Sequence, residues 1–294
     1  MLYMGYFMDQ LIRKIRSFAG MSQQEFAGSI GVTFASINRW ENGHAQPNRM
    51  AQLKLYEFCK EKSVPLNDFI HQKIQAAVAN LSPEENRMIL YHGSKAGIVG
   101  TIAPVSRERC DFGKGFYMGT EPDQSLTLIC DFEASRFYIV SLDIEQVRAF
   151  SVSDGIDWAM LVAYYRGKME IARGSRMYEK YSRMLNGYDT VIGSIADDRM
   201  FYVLDNFFLG NITDVALVKS LSALQLGKQY VCITQKGCDS VRIEKEIPLS
   251  VLERCCLKDI STQNRAKGVT LANEICKKTR REGKYFDEIL EEAD

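Results

Sequence analysis

The sequence predicts an all-α N-terminal bundle followed by an α+β domain and a helical, charged C-terminal tail. Apolar residues recur at helical spacing from about residue 9 to 62. From Met88 short strand-like runs alternate with helical stretches, and from Lys258 charge dominates with a helical period. At 294 residues, 46% of them apolar and 11% aromatic, the chain is long enough for two folded units and can bury a sizeable core in them. The expected divisions are 1–65 for the bundle, 66–87 for a helical linker, 88–250 for the α+β domain and 251–294 for the tail.

The bundle is justified helix by helix. Leu11, Ile12, Ile15 and Phe18 line one helical face, and Gly20 breaks it. Ser22 and Glu25 form an S-x-x-E capping box, opening a second helix through Phe26, Ala27 and Ile30 that Gly31 ends. Thr33 can cap a third helix through Ile37 and Trp40, stopped by Asn42-Gly43. Helices this short, joined by turns this tight, form the helix-turn-helix pattern. A fourth helix runs from Arg49 to Lys60. The segment from Ser63 to Arg87 then mixes Pro65, a helical stretch Phe69–Val78 and Ser82-Pro83-Glu84-Glu85, which sets the domain boundary.

Beyond it, strands are expected at Ile89–His92, Gly115–Met118, Arg136–Leu142, Thr190–Ile192, Gln229–Thr234 and Val241–Ile243, with helices at Ile156–Gly167 and Arg176–Asn186. In the tail, Lys277-Lys278-Thr279-Arg280-Arg281 precedes an acidic stretch, Asp287–Asp294, and reads as a solvated helix face.

Lys+Arg and Asp+Glu both number 37, so a nucleic-acid function has to sit in a local patch. The eight cysteines show no CxxC spacing and the chain has no HxxxH, so no metal site is expected, and reduced thiols in the cytoplasm are the simplest reading. The apolar start is too short for a signal peptide and lacks a basic flank, and no apolar run approaches the ~18 residues of a membrane span. No membrane partner is expected.

The stretch MSQQEFAGSIGVTFASINRWENGHAQP resembles the lambda-repressor-like, or xenobiotic-response-element, helix-turn-helix family. The resemblance implies DNA as a partner through residues 22–43, with the third helix in the major groove. Phe34, Ala35, Ser36 and Arg39 would then face base edges, and Arg39 is suited to a bidentate contact with guanine. Gln23 and Asn42 would hold phosphates. Residues 1–60 carry seven Lys/Arg against four Asp/Glu, a modest excess for binding through counterion release. Dimerisation is the usual remedy, so a homodimer is open as the binding form. A helical module that binds only a protein partner is the plainer alternative.

Three further pieces, Leu90-Tyr91-His92-Gly93-Ser94, Asp111-Phe112-Gly113-Lys114-Gly115-Phe116-Tyr117 and Gln229-Tyr230-Val231, are each weak alone. In order, they resemble the H-Y-E group of ADP-ribosyltransferases, which includes the poly(ADP-ribose) polymerases and diphtheria-type toxins. In particular they resemble an uncharacterised bacterial branch with the same G-x-G-F-Y and Q-Y-V pieces. The resemblance implies a split, mostly antiparallel sheet and NAD as substrate, without a metal. His92 would bond a ribose hydroxyl, Gly93 would offer its backbone to the nicotinamide carboxamide, and Tyr117 would stack on the nicotinamide. Gly115 would allow close backbone approach, and Ser94 and Ser125 would add polar contacts. A lone histidine at a strand end and one tyrosine among fourteen would otherwise be read as structural.

Gln229 departs from the group's glutamate and supplies no negative charge against the cationic transition state of nicotinamide loss. A neighbouring carboxylate is expected to take over part of that role. Asp198 is the first candidate and Asp197 the second, on a turn after Ile192-Gly193-Ser194 where either could instead cap the next helix. The implied activity is NAD-dependent ADP-ribosyl transfer targeted or regulated by the DNA-binding module, in the manner of a toxin or antiphage factor. The acceptor is not legible. An NAD glycohydrolase, or a transcriptional regulator whose degenerate domain senses NAD or ADP-ribose, remains as an alternative.

Overall fold

The computed structural model describes residues 3–82, 84–196, 201–223, 227–279 and 282–293. Five helices open the chain: α1 (Tyr3–Phe18), α2 (Gln23–Ile30), α3 (Phe34–Glu41), α4 (Arg49–Glu61) and α5 (Leu66–Ala79). The expected caps are formed. Ser22 and Glu25 exchange both bonds of a capping box, Gly31 ends α2 at φ 67°, and Thr33 accepts from Ser36 N. Each satisfies backbone groups that a helix end leaves without a partner. Ile12, Ile15, Phe26, Ile37 and Leu55 are fully buried between these helices, and Phe26 meets Phe58 edge-on with ring centroids 5.1 Å apart.

The α+β domain follows as β1 (Arg87–Ser94), β2 (Phe116–Gly119), α6 (Pro122–Ile129), β3 (Arg136–Asp143), β4 (Ala149–Ser151), α7 (Ile156–Tyr165), α8 (Arg176–Arg183), β5 (Thr190–Ser194), α9 (Phe201–Phe208), α10 (Asp214–Leu221), β6 (Lys228–Cys232), α11 (Gln235–Asp239) and β7 (Val241–Pro248). The strands form one seven-stranded sheet in the order β4-β5-β6-β2-β1-β3-β7. Among the described strands β4 and β5 pair in parallel and the other pairs are antiparallel. All six strand expectations fall on strands. Strand β4 is only three residues long and carries no alternation to detect, and α6 opens on Pro122, a helix-start signal the periodicity alone passes over.

The chain closes with α12 (Val251–Thr279) and α13 (Phe286–Ala293). Helix α12 is not simply a solvated face. Its Leu252, Cys256 and Leu257 enter the core of the N-terminal bundle, and its Ala272 enters the core around Trp158 and Phe207 at the other end of the sheet. The segment read as a linker is mostly α5, with Leu66, Ile70, Ile74 and Ala77 buried. One apolar cluster therefore runs from α1–α5 through Leu126 and Ile129 of α6 to Phe137 and Ile139 of β3 and on to α12.

Polar contacts follow the same seam. Lys73 pairs with the buried Glu253 at 2.8 Å, Tyr56 donates to Asp259 at 2.5 Å, and Gln52 accepts from the Val251 amide at 2.9 Å. His71 of α5 meets Asp123 of α6 at 3.0 Å. No helix among the described residues is long and apolar enough to cross a membrane.

Because bundle and sheet share this core, they are expected to unfold together. The chain has two tryptophans, Trp40 in the bundle and Trp158 in the α+β domain. Observed one at a time, with the other replaced by Phe, they should report coincident denaturant transitions. Leu257→Ala should lower both by about 2–5 kcal/mol. Transitions that separate would show two independent units.

The hydrogen bond and charge of Asp123, with the bond that the ring donates to the Asn67 carbonyl, outweigh burial and raise the His71 pKa to about 9. The unfolded value is about 6.5, so the bridge contributes fully below that pH and is lost as pH rises through about 9. Melting temperatures across that window should fall less steeply for His71→Asn than for the native chain, and equal slopes would show that the bridge contributes nothing.

Candidate functional site

The sheet is nearly divided in its middle. Strand β1 pairs with β3 over eight positions, from Arg87–Asp143 to Ser94–Arg136, but with β2 only at Tyr91–Gly119. A continued register would set Gly93 opposite Tyr117, yet the strands part before reaching it. A cleft of about 840 Å³ opens there, lined by His92, Gly93, Ser94, Gly115, Tyr117, Ser125 and Gln229. Its volume falls in the range of cofactor-sized sites.

His92 spans the gap, its Nδ1 donating to the Tyr117 carbonyl at 2.7 Å, a group the missing ladder would leave without a partner. Its ring stacks on Phe116 with centroids 4.1 Å apart. Burial lowers its pKa to about 4, so the ring is neutral at physiological pH. A carbonyl only accepts, which puts the proton on Nδ1 and leaves Nε2 as an acceptor.

Tyr117 is clamped by its own loop. Its hydroxyl donates to the Gly113 carbonyl at 2.8 Å and accepts from Phe112 N at 3.0 Å, and burial pushes its pKa up. The glycines here answer to packing. A β-carbon on Gly115 would lie 2.4 Å from Val231 Cγ1, and one on Gly93 would lie 2.4 Å from the Ser125 carbonyl oxygen, because α6 rests directly on β1. Ser125 donates to the Tyr91 carbonyl at 3.1 Å and Ser94 to the Gly97 carbonyl at 2.9 Å. Both hydroxyls thus brace the wall they line, keeping only acceptor capacity for a ligand.

Gln229 lies on β6 between Gly119 of β2 and Gly193 of β5 and is 5% exposed. Its Nε2 donates to Asp111 Oδ2 at 2.7 Å and to the Ser194 carbonyl at 3.1 Å. Asp111 Oδ2 also accepts from Ala196 N at 3.2 Å, and Oδ1 is held by the guanidinium of Arg166, whose Nε is 2.8 Å away. Asp111 and Arg166 are 6% and 4% exposed.

Asp197 and Asp198, the carboxylates expected beside Gln229, lie outside the described residues. Asp111 and Arg166 received no role from the sequence. The signal for Arg166 was there, a cation directly after α7, in which Asp157 alone is charged, with Asp111 at the head of the GKGFY piece. Lys95, Arg107 and Arg109 also line the cleft on the segment between β1 and β2. Among the described residues no group of three or more His, Cys, Asp or Glu side chains could hold a metal ion.

At the other end of the chain, α3 presents Phe34, Ala35 and Arg39 outward, while Ser36 is half-buried with its hydroxyl 2.9 Å from that of Thr33. The helix is fixed from behind by Glu41, which is 2% exposed. Arg16 grips its carboxylate at 2.6 and 3.0 Å, and Gln23 donates to it at 2.7 Å. Burial pushes the Glu41 pKa up, but Arg16 and Gln23 together bring it below the usual value. The amide nitrogen of Gln23, read as a phosphate contact, is thus engaged inside the module. Asn42 is engaged too, donating to the Asn38 carbonyl at 2.9 Å and accepting from Arg13 at 3.0 Å.

Residues 88–243 match the family described as protein of unknown function (DUF3990), and residues 12–50 match the helix-turn-helix family. The first match spans just over half of the chain, and the chain belongs to that family. The second identifies the N-terminal bundle as a helix-turn-helix module, the DNA-binding part of the protein. No curated protein matches the chain, and no solved structure does.

Arg39→Ala should weaken binding to a selected operator by roughly 1–3 kcal/mol and relax its sequence preference. Gln23→Ala should weaken all sequences alike and also lower the stability of the module, since it removes a bond to the buried Glu41. Selection from a random DNA pool checks the first, and an unchanged preference after loss of Arg39 would remove it from the base-reading face.

Proposed function

We propose that the α+β domain binds NAD in the cleft between β1 and β2, breaks the bond between nicotinamide and ribose, and passes ADP-ribose to an acceptor. The helix-turn-helix module would target or regulate it through DNA. One observation carries this reading: His92, Tyr117 and Gln229, from three separated pieces of sequence, converge on one cleft at the place where the sheet parts.

The residues present suit such a ligand. His92 Nε2 is an acceptor for a ribose hydroxyl, the Gly93 backbone stands at the lip of the gap for the carboxamide, and Tyr117 and Phe116 supply aromatic wall. Lys95, Arg107 and Arg109 bring positive charge to the same cleft, suited to a pyrophosphate. In the reaction the C1′–N bond breaks, nicotinamide leaves neutral with the electron pair, and the ribosyl cation is captured by a nucleophile whose proton passes to solvent. The protein's part is to hold both ends and exclude competing water.

The charge balance favours a second reading beside this one. Asp111 is paired with Arg166, so the third position brings no net negative charge to the cleft. Slow turnover, or sensing of NAD without turnover, fits that balance. Mass spectrometry of products separates transfer, hydrolysis and mere binding.

NAD at about 100 times its dissociation constant should add roughly 2.7 kcal/mol of apparent stability. His92→Asn keeps an N–H for the Tyr117 carbonyl but removes Nε2, so it should fold and lose most of that gain. A native chain whose melting temperature does not respond to millimolar NAD would exclude the cleft as an NAD site.

A further inference from the structure

The amide of Gln229 has a fixed direction. Its near neighbours, a carboxylate oxygen of Asp111 at 2.7 Å and the Ser194 carbonyl at 3.1 Å, can only accept hydrogen bonds, so the atom facing both is the nitrogen, and both of its hydrogens are used. Asp111 cannot rotate away. Its other oxygen is held by Arg166, and the Ala196 amide adds a further bond to the oxygen that faces Gln229. What remains of Gln229 is Oε1, on a residue that lines the cleft.

We propose that Asp111 is a positioning residue for this site: it turns the nitrogen of Gln229 into the protein and its carbonyl oxygen toward the cleft, as the acceptor for a sugar hydroxyl of the ligand. The sugar as ligand rests on the NAD reading given above; the network itself does not. A glutamate at this position would offer the same acceptor oxygen, but only by setting a second carboxylate against Asp111. Glutamine supplies the oxygen and satisfies Asp111 together. The carboxylate that attends the third position is thereby Asp111, held by Arg166.

The test uses the full chain, first without ligand, in thermal melts at about pH 5 and about pH 8. Gln229→Glu should melt roughly 5 °C or more below the native chain at the higher pH. It should recover most of that loss at the lower pH, where one of two facing carboxyls takes a proton. The double variant Asp111→Asn with Gln229→Glu keeps one carboxylate and one amide in the pair with their places exchanged, and should melt above either single variant.

A Gln229→Glu chain that melts like the native one at both pH values overturns the proposal. So does an equal loss at both that the double variant does not relieve. If Gln229→Glu does not fold, the double variant decides: folded, it supports the arrangement, and unfolded, it overturns it. With NAD as the probe, Asp111→Asn should raise the dissociation constant about tenfold, a loss of about 1.4 kcal/mol, and unchanged affinity in that variant also overturns the proposal. A native chain that binds no NAD overturns the ligand, while the melts still decide the network.

Discussion

The arrangement depends on a sheet that stops being continuous between β1 and β2. One register pair joins them, and beyond it each strand edge carries backbone groups that need partners. Nearby side chains meet the need. His92 serves the Tyr117 carbonyl, Ser125 serves the Tyr91 carbonyl, and Ser106 accepts from Gly115 N at 3.0 Å as the intervening segment returns to the sheet. The same residues make the walls of the cleft. Their orientation is set before any ligand arrives, which is the condition for a site that does not spend ligand affinity on ordering itself.

Two buried carboxylates shape the two functional ends of the chain in the same way. Glu41 is gripped by Arg16 and accepts from the Gln23 amide; Asp111 is gripped by Arg166 and accepts from the Gln229 amide. An ion pair of this kind is weak evidence for stability, because desolvation offsets most of the attraction. Its effect here is directional. A carboxylate held by arginine presents a fixed acceptor, and an amide beside it has only one orientation in which its nitrogen is satisfied. At Glu41 the result is the seat of α3. At Asp111 it is the orientation of the oxygen that Gln229 keeps.

Much of this was legible in the sequence, and what was not has identifiable causes. Ser22, Glu25, Gly31 and Thr33 mark helix ends by local chemistry, and local chemistry survives folding. The strands carrying His92, Tyr117 and Gln229 read as strands because β-branched and aromatic residues cluster in them. The partners of those side chains were not legible. Asp111 and Gln229 are 118 positions apart and Arg166 and Asp111 are 55 apart, so no spacing rule joins them. Gly93 and Gly115 were read through the ligand, whereas α6 and Val231 already forbid a side chain at either position. Helix α12 read as a solvated face because charged and polar residues are interspersed along its whole length. A helix that packs successively on different partners spreads its buried residues around its circumference, which leaves no single apolar stripe.

That spread of contacts bears on how the two functional parts can be related. Helix α6 is packed between them. Leu126 and Ile129 belong to the apolar cluster of the bundle, His71 of α5 reaches Asp123 at its first turn, and its Ser125 and Leu128 line the cleft. The close contact of Ser125 with Gly93 leaves no slack between α6 and β1. Close-packed interiors respond to displacement by moving together or by switching packing, because voids that would absorb a shift are absent. A bundle joined to the sheet by flexible chain could bind DNA without consequence for the cleft. This bundle has α6 as one wall and α12 as another, so a force that shifts it on the sheet acts on the helix that carries Ser125 into the cleft.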